Sequence, residues 1–146
     1  MAVSYLTPAT VQLADGQGLD WTGAIKLAAQ PLIDNHSIGA DYVQSMIDVV
    51  KKQGPYINIG AEIALAHSRP SESVKKVGLS LLKLTHDVNL VDDQHPVKLW
   101  FVLAATDDHS HLEVIKQLTQ VLMDPDKNKQ LLEATTKEQI LAVFNQ

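Results

Sequence analysis

The spacing of apolar residues changes several times along this chain, and each change predicts a new secondary-structure element. Residues 10–14 alternate between polar and apolar positions, which predicts a short strand. Strand-like apolar segments follow at 62–66, 74–84 and 98–105. The segment 98–105 is almost continuously apolar, which is typical of a central strand covered on both faces.

Helical spacing separates these strands. A first helix is predicted from Leu19 and is expected to end at Pro31, which cannot donate a backbone hydrogen bond. The clearest helix spans 38–52, and two short helices are predicted at 125–132 and 136–144. A further helix follows 98–105, and its inner face is expected to contain Leu112, Ile115, Leu118, Val121 and Leu122.

This alternation of strands and helices indicates a three-layer α/β/α sandwich with a mixed, roughly five-stranded sheet. The loop between 62–66 and 74–84 is too short to hold a crossover helix, so we expect these two strands to form an antiparallel pair. We expect one domain over residues 1–146, with enough apolar sequence, 45%, to build a core.

Composition narrows the range of functions. The net charge is −5, which argues against nucleic acid as a partner because its phosphates require clustered Lys and Arg. There is no cysteine, which excludes disulfides, a thiol nucleophile and a cysteine-based zinc site. No signal peptide is recognisable at 1–10, and no apolar stretch approaches the roughly 18 to 20 residues that span a bilayer. A cytoplasmic location is expected.

Several familiar site motifs are absent or incomplete. Gly16-Gln17-Gly18 follows a strand, but Trp21 stands where a dinucleotide fingerprint has its third glycine. There is also no Walker A sequence and no Gly-x-Ser-x-Gly elbow, so we expect no nucleotide site and no cofactor. The segment 107–111 contains two carboxylates and two histidines, but His109 and His111 are two residues apart and would diverge on a helix. Carboxylates at a helix N-terminus are the favoured interpretation of this segment.

Two histidines have a different setting from the rest. His67 directly follows the strand 62–66, and His111 lies just past the strand 98–105. The carboxyl edge of an α/β sheet is where ligands bind, and Arg69 nearby is suited to a phosphate or a carboxylate. His36, His86 and His95 have polar, turn-like neighbours and are expected at the surface. From the residues alone, His67 is either a reactive imidazole or a structural histidine at a strand end.

The stretch from Gly60 to Pro70 reads Gly-Ala-Glu-Ile-Ala-Leu-Ala-His-Ser-Arg-Pro. It resembles the active-site sequence of the mannitol–fructose class of enzyme IIA domains of the bacterial phosphotransferase system. Residues 105–112 resemble a second sequence element of that family. The resemblance covers nearly the whole chain. It implies that His67 accepts a phosphoryl group on Nε2 from HPr and passes it to a cysteine of enzyme IIB, with the IIC permease involved indirectly. It also implies that His111 hydrogen-bonds the phosphoryl oxygens.

The chain departs from the family pattern at two places. Ala66 stands where proline usually precedes the histidine, and the upstream arginine of the mannitol type has no match. Spacing places Val49 or Lys51 at that position, and we expect Arg69 to take over the cationic role. The His-x-Arg-Pro pattern and the stand-alone length resemble the L-ascorbate branch. A regulatory, nitrogen-type EIIA and a non-catalytic ligand-binding module remain alternatives, and a homodimer is left open.

Overall fold

The computed structural model describes residues 5–69 and 71–145. Pro70, which belongs to the His-x-Arg-Pro pattern, lies outside the described residues. In chain order the elements are β1 (Val11–Ala14), α1 (Trp21–Asp34), α2 (Ala40–Gln53), β2 (Asn58–Gly60), β3 (Glu62–Ala66), β4 (Gly78–Asn89), β5 (Pro96–Ala104), α3 (Asp108–Leu122), α4 (Pro125–Glu133) and α5 (Lys137–Phe144).

The five strands form one mixed sheet in the order β1-β4-β5-β3-β2. β1 is parallel to β4 and β3 is parallel to β5, whereas β4 and β5 are antiparallel, as are β2 and β3. The predicted pairing of the segments 62–66 and 74–84 is therefore wrong. These strands do run in opposite directions, but β5 lies between them. The apolar residues of β5 are buried on both faces of the sheet, which requires β5 to lie in the centre of the sheet.

Helices cover both faces of the sheet, which confirms the predicted α/β/α layers. Trp100 and Phe101, adjacent in β5, are both completely buried and point to opposite sides. Trp100 belongs to the core cluster that contains residues of α1 and α2. Phe101 belongs to the cluster beneath α3, α4 and α5, where its ring meets that of Phe144 edge to face at a centroid distance of 6.2 Å.

Pro31 does not end the first helix, contrary to the sequence prediction. α1 continues to Asp34 with Pro31 buried in its last turn. The proline has no N–H to give to the carbonyl of Leu27, four residues earlier. That carbonyl instead accepts a hydrogen bond of 2.7 Å from the side-chain amide of Gln12 in β1. A tertiary contact thus satisfies the group that the sequence leaves open.

Other differences concern boundaries and one helix face. β4 begins at Gly78 rather than at residue 74, and the short edge strand β2 was not predicted. Leu112 is 65% exposed, whereas α3 buries Val114, Leu118 and Val121, which recur at helical spacing. Leu112 lies two positions before Val114 and therefore points away from the sheet.

Within the described parts of the chain, no helix has both the length and the apolar content to cross a membrane.

Candidate active site

The two histidines singled out in the sequence lie side by side. His67 directly follows β3, and His111 lies in the first turn of α3, just after β5. Because β3 and β5 are parallel, their carboxyl ends meet at the same edge of the sheet. The two imidazole rings have a centroid distance of 5.2 Å and an interplanar angle of 59°. Topology therefore joins two residues that are far apart in the sequence.

The backbone of β3 fixes the protonation pattern of His67. Its Nδ1 lies 3.0 Å from the carbonyl oxygen of Leu65. A carbonyl oxygen can only accept a hydrogen bond, so in the neutral ring the proton resides on Nδ1 and Nε2 keeps its lone pair. The imidazole is thereby prepared as a nucleophile at Nε2.

The surroundings of His111 favour its neutral form. Burial lowers its pKa and the nearby His67 lowers it further, against an opposing effect of Asp108. Its Nδ1 is buried and has no hydrogen-bond partner among the described residues. A buried N–H without an acceptor is unfavourable, which favours the proton on Nε2. In that tautomer His111 can donate one hydrogen bond into the space beside His67.

Both rings line a cleft of about 570 Å³. α2 contributes Ser45, Val49 and Gln53 to its wall, and the segment after β3 contributes Ser68, Arg69 and Ser71. Arg69 is the one Lys or Arg among the described lining residues, and none of the described residues forms an ion pair with it. Val49 faces the cleft where spacing places the arginine of the mannitol type, and Lys51 does not line it. The cation of this cleft is thus supplied by the loop and not by the helix.

An aromatic side chain that the sequence reasoning missed contacts His67. The ring of Tyr56 meets the imidazole edge to face at a centroid distance of 5.8 Å, and the side chain remains 43% exposed. Partial burial raises the pKa of its hydroxyl. Tyr56 follows the Gly54-Pro55 break after α2, and no periodic pattern marks such a position. A second exposed large side chain, Leu112, directly follows His111 in the chain.

Tyr42 is the second residue that sequence reasoning did not assign to the site. Its position in the predicted helix 38–52 is that of a core residue, and it is indeed 1% exposed. Its hydroxyl, however, contacts the backbone of Ser68 and that of Leu103. The sequence signal for these contacts is the residue type, because tyrosine has a hydroxyl group that phenylalanine lacks.

The acidic segment before His111 is a helix cap, as predicted. The Asp107 carboxylate accepts a hydrogen bond of 2.7 Å from the backbone N–H of Ser110, and this bond lowers the pKa of Asp107. Within residues 5–69 and 71–145, no three His, Asp or Glu side chains are grouped as metal ligands. Away from the cleft, His86 pairs with Asp15 and His95 with Asp92.

Fold and cleft together define a class: a three-layer α/β/α protein with two adjacent imidazole rings at the carboxyl edge of a mixed sheet. A model of the phosphoenolpyruvate-dependent sugar phosphotransferase system family EIIA 2 matches residues 4–146. The chain belongs to this family and is therefore a component of a sugar phosphotransferase system, with phosphotransferase activity.

Two curated relatives show similar levels of identity. The mannitol-specific cryptic phosphotransferase enzyme IIA component of Escherichia coli is 31% identical over 126 residues, which is 86% of each chain. The ascorbate-specific PTS system EIIA component of Escherichia coli is 32% identical over 127 residues, which is 86% of this chain and 82% of that protein. The solution structure of the mannitol-specific cryptic enzyme IIA of Escherichia coli superposes with a TM-score of 0.89, at 29% identity, over 99% of this chain and 98% of that one.

Proposed function

We propose that this protein is a phosphocarrier whose His67 accepts a phosphoryl group on Nε2 from phospho-HPr and passes it to a cysteine of the cognate enzyme IIB. One observation carries the proposal: the Nδ1 of His67 is bound to the Leu65 carbonyl, and this leaves the Nε2 lone pair free. Residues 1–146 would act as one EIIA type 2 domain in the cytoplasm, and the IIC membrane permease would be coupled to it only through enzyme IIB.

The transfer itself needs little covalent assistance from the protein. The Nε2 lone pair attacks phosphorus while the bond between phosphorus and the donor atom breaks, so the donor recovers the electron pair of that bond. His67 keeps its proton on Nδ1, where the Leu65 carbonyl stabilises the positive charge that the ring gains. The same charge makes the imidazole a good leaving group when the thiolate of enzyme IIB attacks in turn. The donor and acceptor steps thus use one ring geometry.

His111 and Arg69 would stabilise the charge on the phosphoryl oxygens. Neutral His111 donates a hydrogen bond from Nε2, and a dianionic group 5 Å or so away raises its pKa, so it gains a proton as charge accumulates. Arg69 provides a permanent positive charge and several N–H donors. This assignment is supported by the cleft lining, because Val49 cannot supply the charge of the mannitol-type arginine.

The surroundings of the cleft suit a protein partner. Tyr56 and Leu112 are exposed apolar side chains beside His67 and His111, and such residues are the usual centre of a protein interface. The net charge of −5 favours approach of a partner with a basic face. Both donor and acceptor would use this surface in turn, since each must reach the same Nε2.

Identity alone does not select the sugar, because the ascorbate-specific and the cryptic mannitol-specific relatives are 32% and 31% identical. We propose L-ascorbate as the first sugar to test, since His67-Ser68-Arg69-Pro70 resembles the His-x-Arg-Pro pattern of that branch. A mannitol system is the alternative.

The deciding experiment is incubation with phosphoenolpyruvate, enzyme I and HPr. We expect a phosphate that is labile in acid and stable in base, and its loss in His67→Ala. Absence of this phosphate in the wild type, or its persistence in His67→Ala, would remove the phosphocarrier function and favour a non-catalytic ligand-binding module.

Phosphorylated protein is then mixed separately with enzyme IIB of an ascorbate system and of a mannitol system. Transfer to one of them identifies the transport route. Stable phosphorylation without transfer to either would favour a regulatory, nitrogen-type EIIA that acts by binding other proteins.

A further inference from the structure

The pairing of β3 and β5 stops just before His67. The last paired residues are Ala66 and Val102, so the ladder no longer holds the chain at His67 and Ser68. Instead, the hydroxyl of Tyr42 lies between the two strands at this point. It is 2.8 Å from the carbonyl oxygen of Leu103 and 3.0 Å from the backbone nitrogen of Ser68.

We propose that Tyr42 is a positioning residue for phosphoryl transfer: its hydroxyl fixes the peptide of Ser68 and so holds the imidazole of His67 in its reactive orientation. The inference rests on the proposed function, because it assigns a cause to the geometry of the nucleophile. Tyr42 does not touch the phosphoryl group and acts only through the backbone.

A tyrosine hydroxyl has the hydrogen-bonding capacity that this place requires. It accepts a hydrogen bond from the Ser68 N–H, and its own proton is directed to the Leu103 carbonyl, with the Ser68 carbonyl a longer second acceptor at 3.2 Å. Burial raises the pKa of Tyr42 to about 12, so the hydroxyl keeps the proton that it donates. A phenylalanine would fill the same volume but would leave the N–H and the carbonyl unsatisfied.

A second contact from the same helix strengthens the attachment. Ser45, three residues after Tyr42 and therefore on the same face of α2, places its Oγ 2.6 Å from the Oγ of Ser68. His67 is thus held on both sides. The Leu65 carbonyl binds its ring, and α2 binds the residue that follows it.

This arrangement also limits which groups can contact a phosphoryl group. The backbone N–H of Ser68 is already donated to Tyr42 and is not available to phosphoryl oxygens. Hydrogen-bond donors for the phosphoryl oxygens must therefore come from other groups in the cleft, which agrees with the roles given to Arg69 and His111.

The test compares Tyr42→Phe with the wild type and with Tyr5→Phe, in which an exposed tyrosine outside the cleft undergoes the same chemical change. Phosphorylation rates are measured over a range of phospho-HPr concentrations. We expect kcat to fall about 10- to 100-fold in Tyr42→Phe with KM unchanged, because misorientation of a nucleophile lowers the rate of the chemical step. Tyr5→Phe is expected to retain the wild-type values. A Tyr42→Phe protein with wild-type kcat, or with a change in KM alone, would overturn the proposal.

A spectroscopic measurement on the unphosphorylated protein separates this inference from the proposed function. Nitrogen NMR of His67 is expected to show the Nδ1–H tautomer in the wild type and a mixture of tautomers in Tyr42→Phe. Identical signals in both proteins would refute the positioning role even if the wild type were never phosphorylated by HPr.

If Tyr42→Phe fails to fold, Ser45→Ala tests the same anchoring of Ser68 by α2, because it removes the contact between the Ser45 and Ser68 hydroxyls at the wall of the cleft. We expect a smaller loss of kcat in the same direction. An unchanged kcat in Ser45→Ala would then contradict the proposal.

Discussion

The Nδ1 of His67 lies 3.0 Å from the carbonyl oxygen of Leu65, two residues earlier in the same chain. This one hydrogen bond selects the tautomer in which Nε2 is unprotonated. It also ties the ring to the end of β3, so that the direction of the nucleophile follows from the direction of the strand.

Arg69 is expected to supply the positive charge for transfer. Arg69→Gln should lower the rate of phosphorylation by phospho-HPr about 10²- to 10³-fold, the usual cost of losing one donor to developing charge. Arg69→Lys should recover part of that loss, since the charge stays but the planar fork of donors is lost.

The matched control for this prediction is Lys51→Gln, which removes a positive charge from an exposed position outside the cleft. It should leave the rate near the wild-type value. Equal losses in Arg69→Gln and Lys51→Gln would indicate a general effect of net charge and would contradict the assignment to Arg69.

His111 is expected to make folding stability depend on pH. Its pKa in the folded protein is lowered, mainly by burial, below the ordinary value of 6.5. At pH values well above 6.5 this imidazole is neutral in both the folded and the unfolded protein. As the pH falls through 6.5 towards the folded-state pKa, the unfolded chain binds the proton more readily and stability is lost. Urea unfolding of His111→Gln should therefore show a smaller loss between pH 7 and pH 5 than the wild type.

Phosphorylation of His67 should reverse this effect. A dianion beside His111 favours the imidazolium, so the pKa of His111 measured by NMR should rise on phosphorylation. A pKa that stays the same or falls would show that His111 does not contact the phosphoryl group.

Gln12 is expected to stabilise the proline-containing turn of α1. Gln12→Leu removes the donor to the Leu27 carbonyl and should lower the free energy of unfolding by about 1–3 kcal/mol, the typical cost of an unsatisfied buried polar group. Chemical denaturation of purified protein measures the change.

A double-mutant cycle tests the cause of that loss. Pro31→Ala restores a backbone N–H that can bond to the Leu27 carbonyl. In the Pro31→Ala background, Gln12→Leu should therefore cost less than in the wild type. Additive losses would mean that Gln12 acts through some other contact.

Sequence reasoning succeeded where a local pattern reflects burial. The continuous apolar run that became β5 predicted a central strand, and the alternation of strands and helices predicted the three layers. It failed where a distant group decides the outcome. Pro31 remains inside α1 because Gln12 satisfies the carbonyl that the proline leaves free. Leu112 is exposed because the packing of α3 on the sheet sets which face is buried.

The sequence by itself determined the candidate residues of the site, because a polar residue at the end of an apolar strand is visible in the order of amino acids. His67, Arg69 and His111 were found in this way. Only the tertiary structure decided that His67 and His111 share a cleft, since parallel pairing brings β3 and β5 together across the 29 residues from 67 to 95, and paired residues such as Ala66 and Val102 are 36 positions apart. It also decided the hydrogen bonds of the Tyr42 and Gln12 side chains. Their partners are backbone groups distant in sequence, and no local pattern identifies such contacts.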